Sequence, residues 1–145
     1  MRIMGIDYGN TRVGIAISDE LKITAQGLET ISYEGNDKKL LARIEEIINE
    51  YNVDTIVVGM PFLLNGDKSE RAKITELFIH KLKCRFNKVI IDTMDERLTT
   101  VQAHKTMNDL GINKKKKRGL VDTISAVYIL ETYMNKQKIW KHIAN

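Results

Sequence analysis

The chain has little of several residue types, and each shortage narrows its possible functions. Its 145 residues include one cysteine and one proline. Because Cys84 has no second cysteine to pair with, no disulfide can form within the chain, and we expect a reducing, cytoplasmic location. The three histidines (His80, His104 and His142) lack the spacing of metal ligands, so we expect them at the surface.

Long hydrophobic runs and common nucleotide-binding motifs are also missing. No stretch of about 20 apolar residues occurs, which argues against a membrane-spanning helix. The N-terminus alternates apolar and polar residues and lacks the apolar core of a secretory signal. Neither a G-x-x-x-x-G-K-[ST] loop nor a G-x-G-x-x-G fingerprint is present, so two common nucleotide sites are disfavoured. We expect no membrane partner.

The composition that remains is typical of one folded domain. Apolar residues make up 43% of the chain and charged residues 29%, with a formal net charge of +4. That excess permits a polyanionic partner without establishing one. A chain of this length can bury a real core, and no linker or internal repeat is visible. We therefore predict a single domain over residues 1–145.

The pattern of apolar residues predicts an α/β fold. Three closely spaced strands come first, and strands then alternate with helices. Close spacing favours an antiparallel meander, and alternation favours parallel pairing. The expected strands cover residues 2–7, 13–18, 27–32, 55–59 and 88–92, the last two with the continuous apolar runs of strands buried on both faces. We predict a mixed five-stranded sheet, antiparallel in its first three strands and parallel in the remainder, with helices on both faces.

Capping residues and periodicity predict where the helices begin. Asn36 is a plausible N-cap of the first helix. Asp67 and Glu70 could form the capping box of the second, whose apolar face would hold Leu77, Phe78 and Leu82. A third helix is expected from about Thr99. A loop over residues 111–119 is expected before the last helix begins at about Leu120.

Three acidic residues lie at the edges of apolar segments. Asp7 ends the first strand, Glu96 follows the last strand, and Asp122 lies one turn into the last helix. A carboxylate beside a buried element is costly unless it is paired, and three brought together repel unless a cation lies among them. Oxygen ligands suit Mg²⁺ or Mn²⁺, the ions that commonly assist phosphodiester cleavage.

Each acid also has a purely structural interpretation. Asp7 could stabilise its own turn, and Glu96 and Asp122 could complement the dipole of a nearby helix N-terminus. Asp95 competes with Glu96 for the metal-binding role.

A basic block precedes Asp122. It consists of Lys114, Lys115, Lys116, Lys117 and Arg118. Such a run is often only a solvated loop, but beside an acidic metal centre it is better explained as a grip on a nucleic-acid backbone. Arg12 could touch the scissile phosphate, and Arg97 could bind a phosphate through two hydrogen bonds. Lys68 and Arg71 could extend this surface.

Four segments together resemble the YqgF family. They are Gly-Ile-Asp-Tyr-Gly at residues 5–9, Gly59-x-Pro61, Asp-Glu-Arg-Leu-Thr-Thr at residues 95–100, and the basic block followed by Val121-Asp122. These bacterial proteins of ribonuclease H-like fold are described as Holliday junction resolvases and as nucleases that mature the 5′ end of pre-16S ribosomal RNA. The resemblance implies acidic active-site roles for Asp7, Glu96 and Asp122, a cytoplasmic location and a part in ribosome biogenesis.

The resulting hypothesis is hydrolysis assisted by two divalent ions about 4 Å apart. Asp7 would bridge both Mg²⁺ or Mn²⁺ ions, with Glu96 and Asp122 each completing part of the shell. The partner would be structured RNA, such as pre-16S rRNA in a ribosomal particle, or branched DNA. Symmetrical cutting of a DNA junction would imply a homodimer.

Two other functions remain open at the level of sequence. The turn at Asp7-Tyr8-Gly9, followed by Gly14, also resembles the first phosphate loop of actin-like ATPases and sugar kinases, but the second glycine-rich loop of that fold is missing. A nucleic-acid or ribosome-binding module without catalysis would explain the basic block. It would leave the three acids without a purpose.

Overall fold

The computed structural model describes residues 1–62, 65–96 and 114–144, and the side chains of residues 123–138 in the last helix. Its elements are β1 (Arg2–Tyr8), β2 (Arg12–Ser18), β3 (Ala25–Ser32), α1 (Asp37–Tyr51), β4 (Val53–Met60), α2 (Glu70–Arg85), β5 (Ile90–Asp95) and α3 (Lys114–Ala144). The strand order is β3-β2-β1-β4-β5. Pairing is antiparallel among β1, β2 and β3 and parallel from β1 through β4 to β5, which confirms the predicted sheet.

Alternating side chains of each strand face different helices, because successive residues of a strand point to opposite sides of the sheet. In β1, Met4 and Ile6 join the core formed with α1 and α2. Ile3 joins the core formed with α3. Helices therefore cover both faces, as predicted. The apolar face of α1 and its N-cap Asn36 also agree with the sequence analysis.

Glycines let α3 lie unusually close to the sheet. A Cβ atom added at Gly5 would lie 2.8 Å from the carbonyl oxygen of Ala126 and 2.9 Å from the Cβ of Leu130. One added at Gly27 would clash with the Thr123 Cγ2. These contacts hold the first half of α3 against β1 and β3.

Two predictions about buried residues are wrong, one in strand β5 and one in helix α2. The last strand is not buried on both faces, since Ile90 is 64% exposed. The reason is topological, because β5 is an edge strand. Leu77 of α2 is likewise 65% exposed, whereas Phe78 and Leu82 are buried as predicted.

The predicted cap of α2 is also wrong. The helix begins at Glu70, and Ser69 is its N-cap, with its hydroxyl oxygen accepting a hydrogen bond from the Ala72 amide at 3.1 Å. Asp67 instead exchanges hydrogen bonds with Asn65 at 3.0 and 3.1 Å, which uses its side chain within the preceding turn.

The last helix begins earlier and ends later than expected. Residues 114–118, predicted as part of a loop, form the start of α3, and the helix continues to Ala144. Lysine and arginine are good helix formers, so the basic block can extend the helix despite its charge. The predicted helix from Thr99 lies outside the described residues. Among the described residues, no helix combines the length and apolarity needed to cross a membrane.

Candidate active site

The structure brings Asp7 and Glu96 together at one edge of the sheet. Asp7 is the penultimate residue of β1, and Glu96 directly follows β5. Although β4 lies between these two strands, the carboxyl groups of Asp7 and Glu96 hydrogen-bond to each other. Two ionised carboxyl groups in such contact repel each other, so the arrangement is unfavourable unless something offsets the repulsion.

The surroundings of Asp7 disfavour its charged form. Burial raises the pKa of Asp7 well above its ordinary value, and the hydrogen bond and charge repulsion from Glu96 raise it further. The positive charge of Arg71 acts in the opposite direction and lowers this pKa. A cation between the two carboxylates would relieve this repulsion.

Gly59 of β4 provides the space in which Glu96 lies. A Cβ added at Gly59 would come within 2.8 Å of the Glu96 Cγ and 2.9 Å of its Cδ. The same atom would lie 2.5 Å from the Ile129 Cδ1. The sequence analysis placed Gly59 at the end of a strand and missed this role. The available signal was a glycine at the end of a continuous apolar strand.

The competitor Asp95 faces the other way. It pairs in register with Met60, which belongs to the core beneath α1 and α2. Met94 belongs to the core beneath α3. Because strand residues alternate, Asp95 lies on the face opposite Met94. Glu96, which contacts Gly59 and Asp7, is therefore the acid of this segment that belongs to the site.

The turn that follows Asp7 is held by several hydrogen bonds. A Cβ at Gly9 would lie 2.5 Å from the Arg12 carbonyl oxygen, so this tight turn needs glycine. The Tyr33 hydroxyl donates to the Gly9 carbonyl at 2.7 Å. Arg71 of α2 donates from its Nη2 to the Tyr8 carbonyl at 2.8 Å. Both bonds fix the backbone that carries Asp7.

A cavity of about 290 Å³ opens between this turn and α2. It is lined by Asp7, Gly9, Asn10, Thr11, Arg12 and Arg71. The predicted substrate-binding residue Arg12 thus shares one cavity with the predicted catalytic residue Asp7. Arg71, considered in the sequence only as part of a wider basic surface, lines it as well.

The remaining predicted site residues lie partly or wholly outside the described residues. The backbone of Asp122 lies in α3, four residues before Ala126, and positions four apart share a helix face. Ala126 packs over Gly5, two residues before Asp7. Arg97 lies outside the described residues. Among the described side chains, no group of three acids, histidines or cysteines could hold a metal ion.

Comparison with known proteins identifies close relatives. A family model described as "RuvX: Holliday junction resolvase" matches residues 1–136. A protein of Ruminiclostridium cellulolyticum named "Putative pre-16S rRNA nuclease" is 54% identical over 138 residues, which are 94% of this chain and 95% of that protein. A protein of the same name from Acetivibrio thermocellus is 47% identical over 137 residues, 94% of this chain and 97% of that protein.

Solved structures support the fold. The Fowlpox virus resolvase, crystallised with its substrate Holliday junction DNA, matches with a TM-score of 0.61, covering 94% of this chain and 99% of that chain. Sequence identity is 15%, so this likeness concerns the fold alone. Together with the strand order described above, it confirms the predicted ribonuclease H-like architecture.

Proposed function

Because the chain belongs to the RuvX (YqgF) family of Holliday junction resolvases, we propose that it is a divalent-metal-dependent nuclease that matures the 5′ end of pre-16S ribosomal RNA. The relatives at 54% and 47% identity are named as pre-16S rRNA nucleases, and each aligns with this chain over nearly its whole length. The observation that supports catalysis is the contact between the carboxyl groups of Asp7 and Glu96. Two acids kept in contact at a cost in stability need a functional explanation.

The donor set fits a hard divalent cation. Asp7 and Glu96 offer only oxygen atoms, the ligands that Mg²⁺ and Mn²⁺ prefer. In this proposal Asp122 is the third ligand, because α3 carries its position on the helix face that packs over β1. When bound, the metal would supply an activated water and stabilise the leaving oxygen of a phosphodiester.

The side chains around the site have distinct tasks in the proposal. Asp7 and Glu96 would hold the metal through their carboxylate oxygens. Arg12, in the cavity beside Asp7, contacts the substrate backbone, and Arg97 is assigned the same role. The hydrogen bonds from Tyr33 and Arg71 to the turn after Asp7 keep Asp7 in place while substrate binds.

The basic block has an unfavourable position in the free protein. Residues 114–118 form the start of α3, where the helix dipole already presents partial positive charge. Like charges four residues apart on a helix also repel. A nucleic-acid backbone would offset both effects. We therefore assign residues 114–118 to the substrate-binding surface.

The test is a cleavage assay with purified protein on a pre-16S rRNA fragment and on a branched DNA junction, each with Mn²⁺ or EDTA. Asp7→Asn should lower the cleavage rate at least about 1,000-fold and leave the circular dichroism spectrum unchanged. Asp19→Asn is the matched control, because Asp19 lies between β2 and β3 at the opposite end of β1 and the change is chemically the same.

The two substrates of this assay, RNA and branched DNA, distinguish the two functions associated with this family. Cleavage of the RNA at the mature 5′ end supports the proposal. Cleavage of the junction alone would replace it with junction resolution, the activity for which the family model is named. Cleavage by Asp7→Asn at the wild-type rate would refute the assignment of the site. Tight binding of either substrate without cleavage would favour a non-catalytic binding module.

A further inference from the structure

Arg71 reaches the candidate active site from the opposite side of the sheet. It belongs to α2, which packs on the face away from α3. Its guanidinium group nevertheless donates to the Tyr8 carbonyl at 2.8 Å and acts electrostatically on Asp7. Neighbouring lysines of the same helix are engaged by carboxylates, as Lys73 is by Glu70 at 3.7 Å. Within the described part of the chain, no carboxylate forms a salt bridge of that kind with Arg71.

The hydrogen bond to Tyr8 orients the guanidinium group. A guanidinium group carries five N–H donors in one plane. Within the described residues, Arg71 uses one Nη2 donor for the Tyr8 carbonyl, so other donors of the fork can face a ligand in the cavity that Arg71 lines. Planar forks of this kind match the oxygen atoms of phosphate groups.

The charge of the cavity favours an anion. Two of its lining residues, Arg12 and Arg71, are cationic, and Asp7 is its acidic lining residue. Among its lining residues the positive charges therefore outnumber the negative one, although Glu96 lies in contact with Asp7 behind it. The remaining lining residues belong to the turn after Asp7 and present backbone and small polar groups; they are Gly9, Asn10 and Thr11.

We propose that Arg71, together with Arg12, binds a backbone phosphate of the substrate in this cavity, next to the bond that is cut. The identity of the ligand as nucleic acid rests on the proposed nuclease function, but binding of a phosphate group does not. Arg71 thus joins the substrate-binding residues and also helps to hold the turn that carries Asp7.

Three variants separate charge from support of the turn. Arg71→Gln removes the charge but keeps an N–H donor for the Tyr8 carbonyl. Arg71→Lys keeps the charge but loses the planar fork. Lys73→Gln is the matched control, since it removes one charge from an exposed position of the same helix. Melting temperatures and circular dichroism establish that each variant is folded.

The first measurement does not depend on cleavage. Metal-free protein is titrated with inorganic phosphate, and the backbone amides of residues 9–12 are followed by ¹⁵N-¹H NMR. Wild type and Lys73→Gln should show saturable shifts of these amides. Arg71→Gln should weaken phosphate binding about 10- to 100-fold, and Arg71→Lys should retain part of it.

The second measurement is the cleavage assay described above. Arg71→Gln should lower kcat/KM about 10- to 100-fold, while Lys73→Gln should stay within about twofold of wild type. Absence of phosphate-induced shifts in wild type, or equal binding by wild type and Arg71→Gln, would overturn the inference. Loss of phosphate binding in Arg71→Gln, combined with no cleavage by any variant or wild type, would sustain it and refute the nuclease proposal.

Discussion

The Glu96 side chain lies against Gly59, where a Cβ atom would come within 2.8 Å of the Glu96 Cγ. That Cβ would also lie 2.5 Å from the Cδ1 of Ile129, the far end of a side chain. A methyl group at Gly59 therefore meets side-chain atoms and not backbone. Side chains can shift more easily than backbone, so we expect the substitution to act on activity more than on stability.

Gly59→Ala should impair cleavage far more than folding. The added methyl group displaces the Glu96 carboxyl group, and a displacement of about 1 Å at a catalytic group can cost about 100-fold in rate. We expect a loss of that order in kcat/KM with a small drop in melting temperature.

The control for this prediction is Gly35→Ala. Gly35 has a φ of +79°, which strains an alanine, and a Cβ there would meet no other atom within 4 Å. The position is remote from the site. It should cost about 1 kcal/mol of stability and leave kcat/KM unchanged. Wild-type cleavage by Gly59→Ala would show that Glu96 is not placed by this contact.

Gly5→Ala should have the opposite profile, because it meets backbone. Its Cβ would lie 2.8 Å from the Ala126 carbonyl oxygen and 2.9 Å from the Leu130 Cβ, neither of which can rotate away. Helix α3 must then move off the sheet, at a cost of about 1–3 kcal/mol. Urea unfolding measures this loss directly. A free energy of unfolding within about 0.5 kcal/mol of wild type would mean that α3 packs less closely than described.

The raised pKa of Asp7 predicts a pH-dependent effect of Asp7→Asn on stability. A raised pKa means that the folded chain holds the proton more tightly than the unfolded chain, whose aspartate has a pKa of about 3.9. Stability therefore falls as pH rises from that value through the folded pKa. Asparagine cannot ionise, so Asp7→Asn should be more stable than wild type at neutral pH.

Unfolding by urea between about pH 3.5 and 7.5, in EDTA, tests this pH dependence. The advantage of Asp7→Asn should shrink toward acidic pH. Asp19→Asn should show the reverse sign, because hydrogen bonds from the Thr24 and Ile23 amides lower the pKa of Asp19. Its carboxylate stabilises the fold at neutral pH and loses that effect on acidification. A constant gap between Asp7→Asn and wild type at every pH would contradict the raised pKa.

Features governed by local pattern could be predicted from the sequence. Strands and helices followed from periods of two and 3.6 residues, and the N-cap Asn36 of α1 followed from its residue type. Asp7 and Glu96 were expected together because both are acids at the edges of apolar segments and because the resemblance implies active-site roles for both. These inferences need no knowledge of which strands are neighbours.

Features set by the order of strands could not be predicted in the same way. The exposure of Ile90 depends on β5 being an edge strand, which no local pattern encodes. The contact of Arg71 with the Tyr8 carbonyl joins residues 63 positions apart in the chain. The start of α3 was misplaced because residues 114–118 were expected in a loop, whereas the helix propensity of lysine and arginine prevailed.

The basic start of α3 predicts how nucleic-acid binding responds to salt. Each lysine that contacts a phosphate contributes to the slope of the logarithm of affinity against the logarithm of salt concentration. Lys115→Ala/Lys116→Ala should therefore weaken binding and reduce the steepness of this slope by about one to two.

Lys38→Ala/Lys39→Ala on α1 removes the same charge from two exposed lysines and is the matched control. Fluorescence anisotropy over a KCl series, in EDTA to prevent cleavage, gives both slopes. Because alanine is a strong helix former, α3 should remain helical in the first variant. Equal slopes for the two double variants would mean that binding depends on total charge alone, and residues 114–118 would then not be a substrate-binding surface.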